Sequence, residues 1–162
     1  MARLRVIFIA GYGRSGSTVL DILLGNHEDV LSLGEVSNFF QSENRLPRCA
    51  CGLPMEACDL WAEVNRRVSG QVDGERADWH RDWQDVERVR SLLPLVRGNF
   101  SPGGKQEATG ARYSALMKAL FTALAEVTGK TVFVDSSKTI WPVPGRPYAL
   151  YMLCDFDVRV IH

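Results

Sequence analysis

The chain has 162 residues, long enough to bury a substantial core as one domain. Apolar residues make up 46% and charged residues 23%, the balance of a soluble globular protein rather than a disordered or membrane-embedded one. Its 19 basic and 19 acidic residues cancel, which excludes a global field able to recruit nucleic acid or an anionic membrane; anion binding has to come from local geometry.

Val6 to Ala10 is an unbroken, β-branched apolar run and predicts a strand buried on both faces. It is too short for the apolar segment of a cleavable leader, and no stretch approaches the roughly 20 apolar residues of a membrane span. A cytoplasmic protein is expected, with Cys49, Cys51, Cys58 and Cys154 as thiols or metal ligands rather than a disulfide framework. A glycine-rich turn follows the strand, then a helix over Ser17 to Leu24 with Gly25-Asn26 as its stop. Val30 to Leu33 is a weak second strand ending at Gly34-Glu35. Residues 42–58, with Pro47, Pro54 and three cysteines, have no periodicity and predict a loop. A helical region runs from about 59 to 128. Two helices fall between Asp59 and Leu93, broken near Ser69 to Gly74, and a flexible connection covers Pro94 and Asn99 to Lys105. Arg112 to Thr128 is the clearest helix, with Tyr113, Leu116, Leu120, Leu124 and Val127 on one face and Gly129 as cap. Thr131 to Asp135 predicts a buried strand, Tyr148 to Leu153 a helix delayed by Pro142, Pro144 and Pro147, and Val158 to Ile161 a last strand. Alternating strands and helices imply a three-layer α/β domain around a central parallel sheet. A parallel strand that feeds a ligand site delivers a loop at its carboxyl end; the sequence stops at His162, so the 1–162 domain is expected to be the front part of something longer.

The turn Gly11-Tyr12-Gly13-Arg14-Ser15-Gly16-Ser17-Thr18 stands where a phosphate loop belongs, between strand and helix. Glycines let backbone N–H groups converge, and the helix amino terminus adds about half a positive charge. The spacing matches a Walker-type loop except that Ser17 occupies the lysine position, which argues against a nucleoside triphosphate. The cation lies instead inside the loop, as Arg14. A plain turn does not need Arg14, Ser15, Ser17 and Thr18.

These segments resemble the sulfotransferase superfamily, which uses 3′-phosphoadenosine 5′-phosphosulfate (PAPS) as donor. The likeness is closest to bacterial sulfotransferase-family proteins and more distant to tyrosylprotein sulfotransferases. Gly13-Arg14-Ser15-Gly16-Ser17-Thr18 resembles the family's 5′-phosphosulfate loop. Leu33-Gly34-Glu35 resembles the segment that supplies the base in the tyrosylprotein branch, and Val134-Asp135-Ser136-Ser137-Lys138 a strand-end motif that places a lysine in the site. Cys49-Ala50-Cys51-Gly52-Leu53-Pro54, with Cys58 and Trp61, is similar to a segment of bacterial members, and Val158 to His162 to the strand before the donor's 3′-phosphate loop. The arginine-bearing 3′-phosphate loop itself is not in the sequence.

The resemblance implies transfer of a sulfuryl group from PAPS to an acceptor hydroxyl on a small molecule, carbohydrate or lipid, with Glu35 as base, Arg14 and Lys138 as electrostatic stabilisers, and no metal. A donor-binding fragment without turnover is the second reading, and a P-loop nucleotide kinase or hydrolase the third, for which Asp135 imitates a Walker B aspartate. Blander readings stand beside each assignment. Glu35 can cap a helix beginning near Val36, Lys138 can be a surface lysine in a polar turn, and His27 reads as a turn or capping residue. Phe39, Phe40, Trp61, Trp79, Trp83 and Trp141 can line an acceptor pocket, but Trp79 and Trp83, four apart, more simply mark a core-facing helix side. The charge-rich Asp73 to Arg90 stretch reads as a solvated face. The three clustered cysteines lack the fourth ligand of a closed zinc site, so buried thiols or a disulfide are expected there.

Overall fold

A computed structural model describes residues 3–40, 49, 51–138 and 144–162. Pro47, Trp141, Pro142 and residues 42–48 of the cysteine-bearing loop lie outside the described residues. The centre is a sheet of four parallel strands: β1 (Arg5–Ile9), β2 (Val30–Ser32), β3 (Val132–Asp135) and β4 (Asp157–Ile161), in the order β2-β3-β1-β4. β1 is flanked on both sides, which is why Val6, Phe8 and Ile9 are all buried and the run shows no polar alternation.

Register assigns the two faces. Leu31, Phe133, Val6 and Val158 are level and look one way; Ser32, Val134, Ile7 and Arg159 look the other. The first face joins the main core, built with α2 (Asp59–Ser69), α3 (Arg76–Glu87), α5 (Glu107–Thr128) and α6 (Arg146–Cys154). The second face carries α1 (Ser17–Gly25), whose Gly25 lies so close to Ser32 that an added Cβ would sit 2.6 Å from the serine Cβ. Helices on both sides of a parallel sheet make the expected three layers.

α5 buries Tyr113, Leu116, Met117, Leu120, Phe121 and Leu124 at helical spacing, and Gly129 ends it in the left-handed conformation (φ 71°), its N–H donating to Ala125 O at 2.8 Å. The helix begins at Glu107, earlier than periodicity predicts, and runs through Gly110. There a Cβ would fall 1.9 Å from the Phe100 carbonyl oxygen, so glycine is a packing requirement and not a break. Pro94, expected in a connection, lies in the first turn of the short α4 (Leu92–Val96), where a missing N–H costs no helical hydrogen bond.

Phe39, Phe40, Trp61, Trp79 and Trp83 are buried in the core. Phe39 and Phe40, on a 3-10 turn over Val36–Phe40, stack on Trp79 and Trp83 with centroids 6.3 and 6.0 Å apart, and Phe39 also meets Trp61 at 5.8 Å. The charge-rich stretch departs from the expected solvated face: Asp82 and Glu87 are buried, because four-residue steps put Glu87 on the side of α3 that carries Trp79 and Trp83. Among the described residues no helix is long and apolar enough to cross a membrane.

Candidate functional site

Because the strands are parallel, their carboxyl ends share one side of the sheet, and four sequence segments arrive there. The loop Gly11–Gly16 follows β1, Glu35 follows β2, Ser136 to Lys138 follow β3, and His162 follows β4. Ser136 N–H donates to Gly34 O at 2.8 Å and Ser37 N–H to Ser137 Oγ at 2.9 Å, so the β2 and β3 ends are laced together.

In the loop, Ser15 N–H turns back to Tyr12 O at 3.3 Å, and Arg14 (φ 66°) and Gly16 (φ 81°) adopt left-handed conformations. Such alternation lines up successive backbone N–H groups into an anion-accepting concavity. Gly16 is the N-cap of α1 and supplies no side-chain cap, and the first turn carries no acid, so nothing local neutralises the positive helix end. Arg14, Ser15 and Thr18 are exposed, and Arg14 has no hydrogen-bond or ion-pair partner among the described residues; Ser17 is buried at 5% exposure.

Lys138 is also left-handed (φ 60°), and its Nζ meets Glu35 Oε1 at 2.5 Å. The Glu35 carboxylate therefore goes to the lysine, while the turn it precedes is closed by its backbone, through Asn38 N–H to Glu35 O at 2.9 Å. Only three described non-glycine residues have positive φ. Asp155 is one, and it simply terminates α6; the other two are the cations Arg14 and Lys138. Backbone strain held at two cationic positions on neighbouring strand ends is a mark of a functional site.

Two groups escaped the sequence reading. Asp21 is buried under α1 and receives Ser136 Oγ at 2.9 Å, which ties the loop-bearing helix to the segment that carries Lys138. Burial pushes its carboxyl above the ordinary value, against the opposing pull of Ser32, Ser136 and the Gly34 amide, and Oδ1 has no well-formed hydrogen bond among the described residues. The signal was a lone acid in the apolar run Val19 to Leu24. The second is Arg146, 2% exposed, which joins Asp135 Oδ2 at 3.0 Å and Glu87 Oε2 at 3.1 Å and lies 5.5 Å over the Phe40 ring. Glu87 also accepts Trp83 Nε1 at 2.6 Å and Tyr113 Oη at 2.7 Å. Burial pushes Glu87 up; for Arg146 burial acts downward but the two carboxylates outweigh it and hold the guanidinium above its ordinary value.

This network decides the character of Asp135. One carboxylate oxygen is held by Arg146 and the other by Ser137 N–H at 2.9 Å, and the residue is fully buried. It is a structural anchor, not a carboxylate turned toward the loop. His27, just past the end of α1, accepts Asp29 N–H on Nδ1 at 3.2 Å, a local turn role. Trp141 lies outside the described residues.

The site thus offers an open anion cradle, an exposed arginine within it, and a lysine–carboxylate pair on the neighbouring strand ends. Comparison of the chain with protein-family models, curated proteins and solved structures finds no match.

Proposed function

We propose that this is a sulfotransferase-like P-loop domain that transfers a sulfuryl group from PAPS to an acceptor hydroxyl. The observation that carries the proposal is the pair of strained cations, Arg14 and Lys138, beside an uncapped helix amino terminus at the carboxyl ends of adjacent strands. Loop amides and the α1 terminus would hold the 5′-phosphosulfate. The acceptor oxygen attacks sulfur in line as the bond from sulfur to the bridging oxygen breaks. Glu35 takes the hydroxyl proton, and Arg14 and Lys138 neutralise the charge that gathers on the departing phosphate. In the free protein Lys138 is held by Glu35; an anionic donor competes for the lysine and releases the carboxylate to act as base.

A nucleotide kinase or hydrolase is disfavoured by two positions. Ser17, at the Walker lysine position, is neutral and buried, and both oxygens of Asp135 are already engaged away from the loop.

Calorimetric titration with 3′-phosphoadenosine 5′-phosphate tests the reading. Binding that falls about 10- to 100-fold in Arg14→Ala, as loss of hydrogen bonds to a charged group predicts, supports it. Tighter binding of ATP with magnesium than of that ligand sinks it.

A further inference from the structure

The segment from Cys49 to Cys58 is remote in role from the strand-end site and brings three thiols to one point. Gly52 adopts a left-handed conformation (φ 87°) and its N–H donates to Cys49 O at 2.9 Å, while Cys49 N–H donates to Leu53 O at 2.8 Å. This tight turn folds Cys51 back beside Cys49. The 3-10 turn Met55–Ala57 then delivers Cys58 to the amino terminus of α2, where Ala62 N–H donates to Cys58 O at 2.8 Å. As a result the sulfur atoms of Cys49, Cys51 and Cys58 all lie within 4.8 Å of one another, with Cys49 and Cys58 only 3.4 Å apart.

Backbone N–H groups are aimed at two of the three sulfurs. Cys58 Sγ faces the backbone N–H groups of Leu60 and Trp61 in the first turn of α2, and Cys49 Sγ faces the N–H of Cys51. With backbone donors on their outer sides, the three sulfurs turn their remaining lone pairs toward one another, as ligands of a single cation do. A tetrahedral zinc with metal–sulfur bonds of about 2.3 Å sets its sulfurs about 3.8 Å apart, a spacing the cluster reaches by side-chain adjustments of well under an ångström at each residue. Burial is graded across the cluster: Cys58 is buried, Cys49 half-buried and Cys51 exposed, so one side is closed by the core and the other opens to solvent.

We propose that Cys49, Cys51 and Cys58 form a three-thiolate site for one thiophilic cation of the Zn²⁺ type. The fourth tetrahedral position faces solvent on the Cys51 side and is available to water or a small exogenous donor. The sequence argues against a closed four-ligand zinc site, and three ligands with one open position is the other arrangement that zinc adopts. The bound ion fastens the 49–53 turn to the start of α2, next to Trp61 in the core, and the α2 terminus offsets the surplus negative charge of three thiolates.

The test uses the full 162-residue chain, purified under reductant and loaded with Zn²⁺ or with Co²⁺ as a spectroscopic probe. One zinc per chain and a thiolate-to-Co²⁺ charge-transfer band are expected. Cys51→Ser, an exposed position whose folding is checked by circular dichroism, should weaken the metal affinity by more than roughly 10-fold, and Cys154→Ser should leave it unchanged. Zinc should also protect three thiols from alkylation, read by intact mass. Equal metal stoichiometry and affinity in the wild type and Cys51→Ser, or no charge-transfer band in folded wild-type protein, overturns the proposal. So does a Cys49–Cys58 disulfide that persists under reductant and leaves Cys51 free.

Discussion

At Arg14 and Lys138 the backbone holds side chains in a conformation that costs an L-residue roughly 1 kcal/mol, at φ 66° and 60°. Glycine is free of that cost, so Arg14→Gly, which gives up no partner among the described residues, should leave stability unchanged or raise it slightly, and Lys138→Gly, which also gives up the Glu35 ion pair, should cost at most about 1 kcal/mol, while ligand binding falls in both. Urea denaturation beside calorimetric titration of 3′-phosphoadenosine 5′-phosphate separates the two effects; a parallel loss of both would make these residues structural. Asp21 is the second residue-scale case. Its carboxyl is raised by burial, so the folded state binds that proton more tightly than the unfolded state does. The associated stability is present at low pH, below the unfolded value, and is lost as pH rises through the raised folded value. Asp21→Asn removes this dependence. Its stability relative to the wild type should therefore increase from about pH 3.5 to pH 7, followed as the difference in melting temperature. A difference that shrinks over that interval would show that the Ser136 hydrogen bond to the charged form outweighs desolvation.

Among the elements, those whose fate is decided by their own periodicity were legible in advance. Val6 to Ala10, the helix through Tyr113, Leu116, Leu120 and Leu124, and the break between Ser69 and Gly74 need no knowledge of partners. Elements decided by a distant contact were not legible. Phe100 lies over Gly110 inside α5, and the buried Glu87 finds its cation in Arg146, fifty-nine positions along the chain. The loop residues of the candidate site could be read because strand, turn and helix are consecutive. That Lys138 meets Glu35 required strands β2 and β3 to be neighbours, and that Asp21 meets Ser136 required α1 to lie over β3, neither of which composition and spacing state. The same contacts yield two predictions. Gly110→Ala should destabilise the fold by about 1–3 kcal/mol through overpacking, measured by the urea midpoint. Glu87→Ala leaves the Arg146 guanidinium with only Asp135 and strips the partners of Trp83 and Tyr113. A loss of about 3–5 kcal/mol is expected for an opened buried ion pair; a loss below 1 kcal/mol would mean that water replaces the carboxylate.

For the whole molecule, the balance of covered and uncovered apolar surface is uneven. The core between the sheet and α2, α3, α5 and α6 is closed, with Val6, Phe121, Phe133 and Leu124 fully buried. Other apolar surface among the described residues is uncovered, and two stretches of it lie beside the sheet. On α1, Val19, Ile22 and Leu23 are 61%, 58% and 62% exposed on one helical side. At the β4 edge, Val160 is 55% exposed and joins Val158, Pro147, Tyr148 and Tyr151 in lining a groove of about 580 Å³. Of the two, the β4 edge has the stronger reason to pair. Among the described residues its five residues pair with β1 on one side only, so an edge of backbone N–H and C=O groups lies alongside an apolar groove. A helix face offers apolar area alone, with all its backbone groups already satisfied. Concentration-dependent association through this edge is the expected outcome in sedimentation velocity, and Val160→Lys, which places a charge in the groove as natural edge strands do to resist pairing, should abolish it while leaving the circular dichroism spectrum unchanged. Ile22→Gln should have little effect. The reverse pattern would assign association to α1, and it would put the contact immediately beside the Gly11–Thr18 loop, where binding of 3′-phosphoadenosine 5′-phosphate and self-association would then compete.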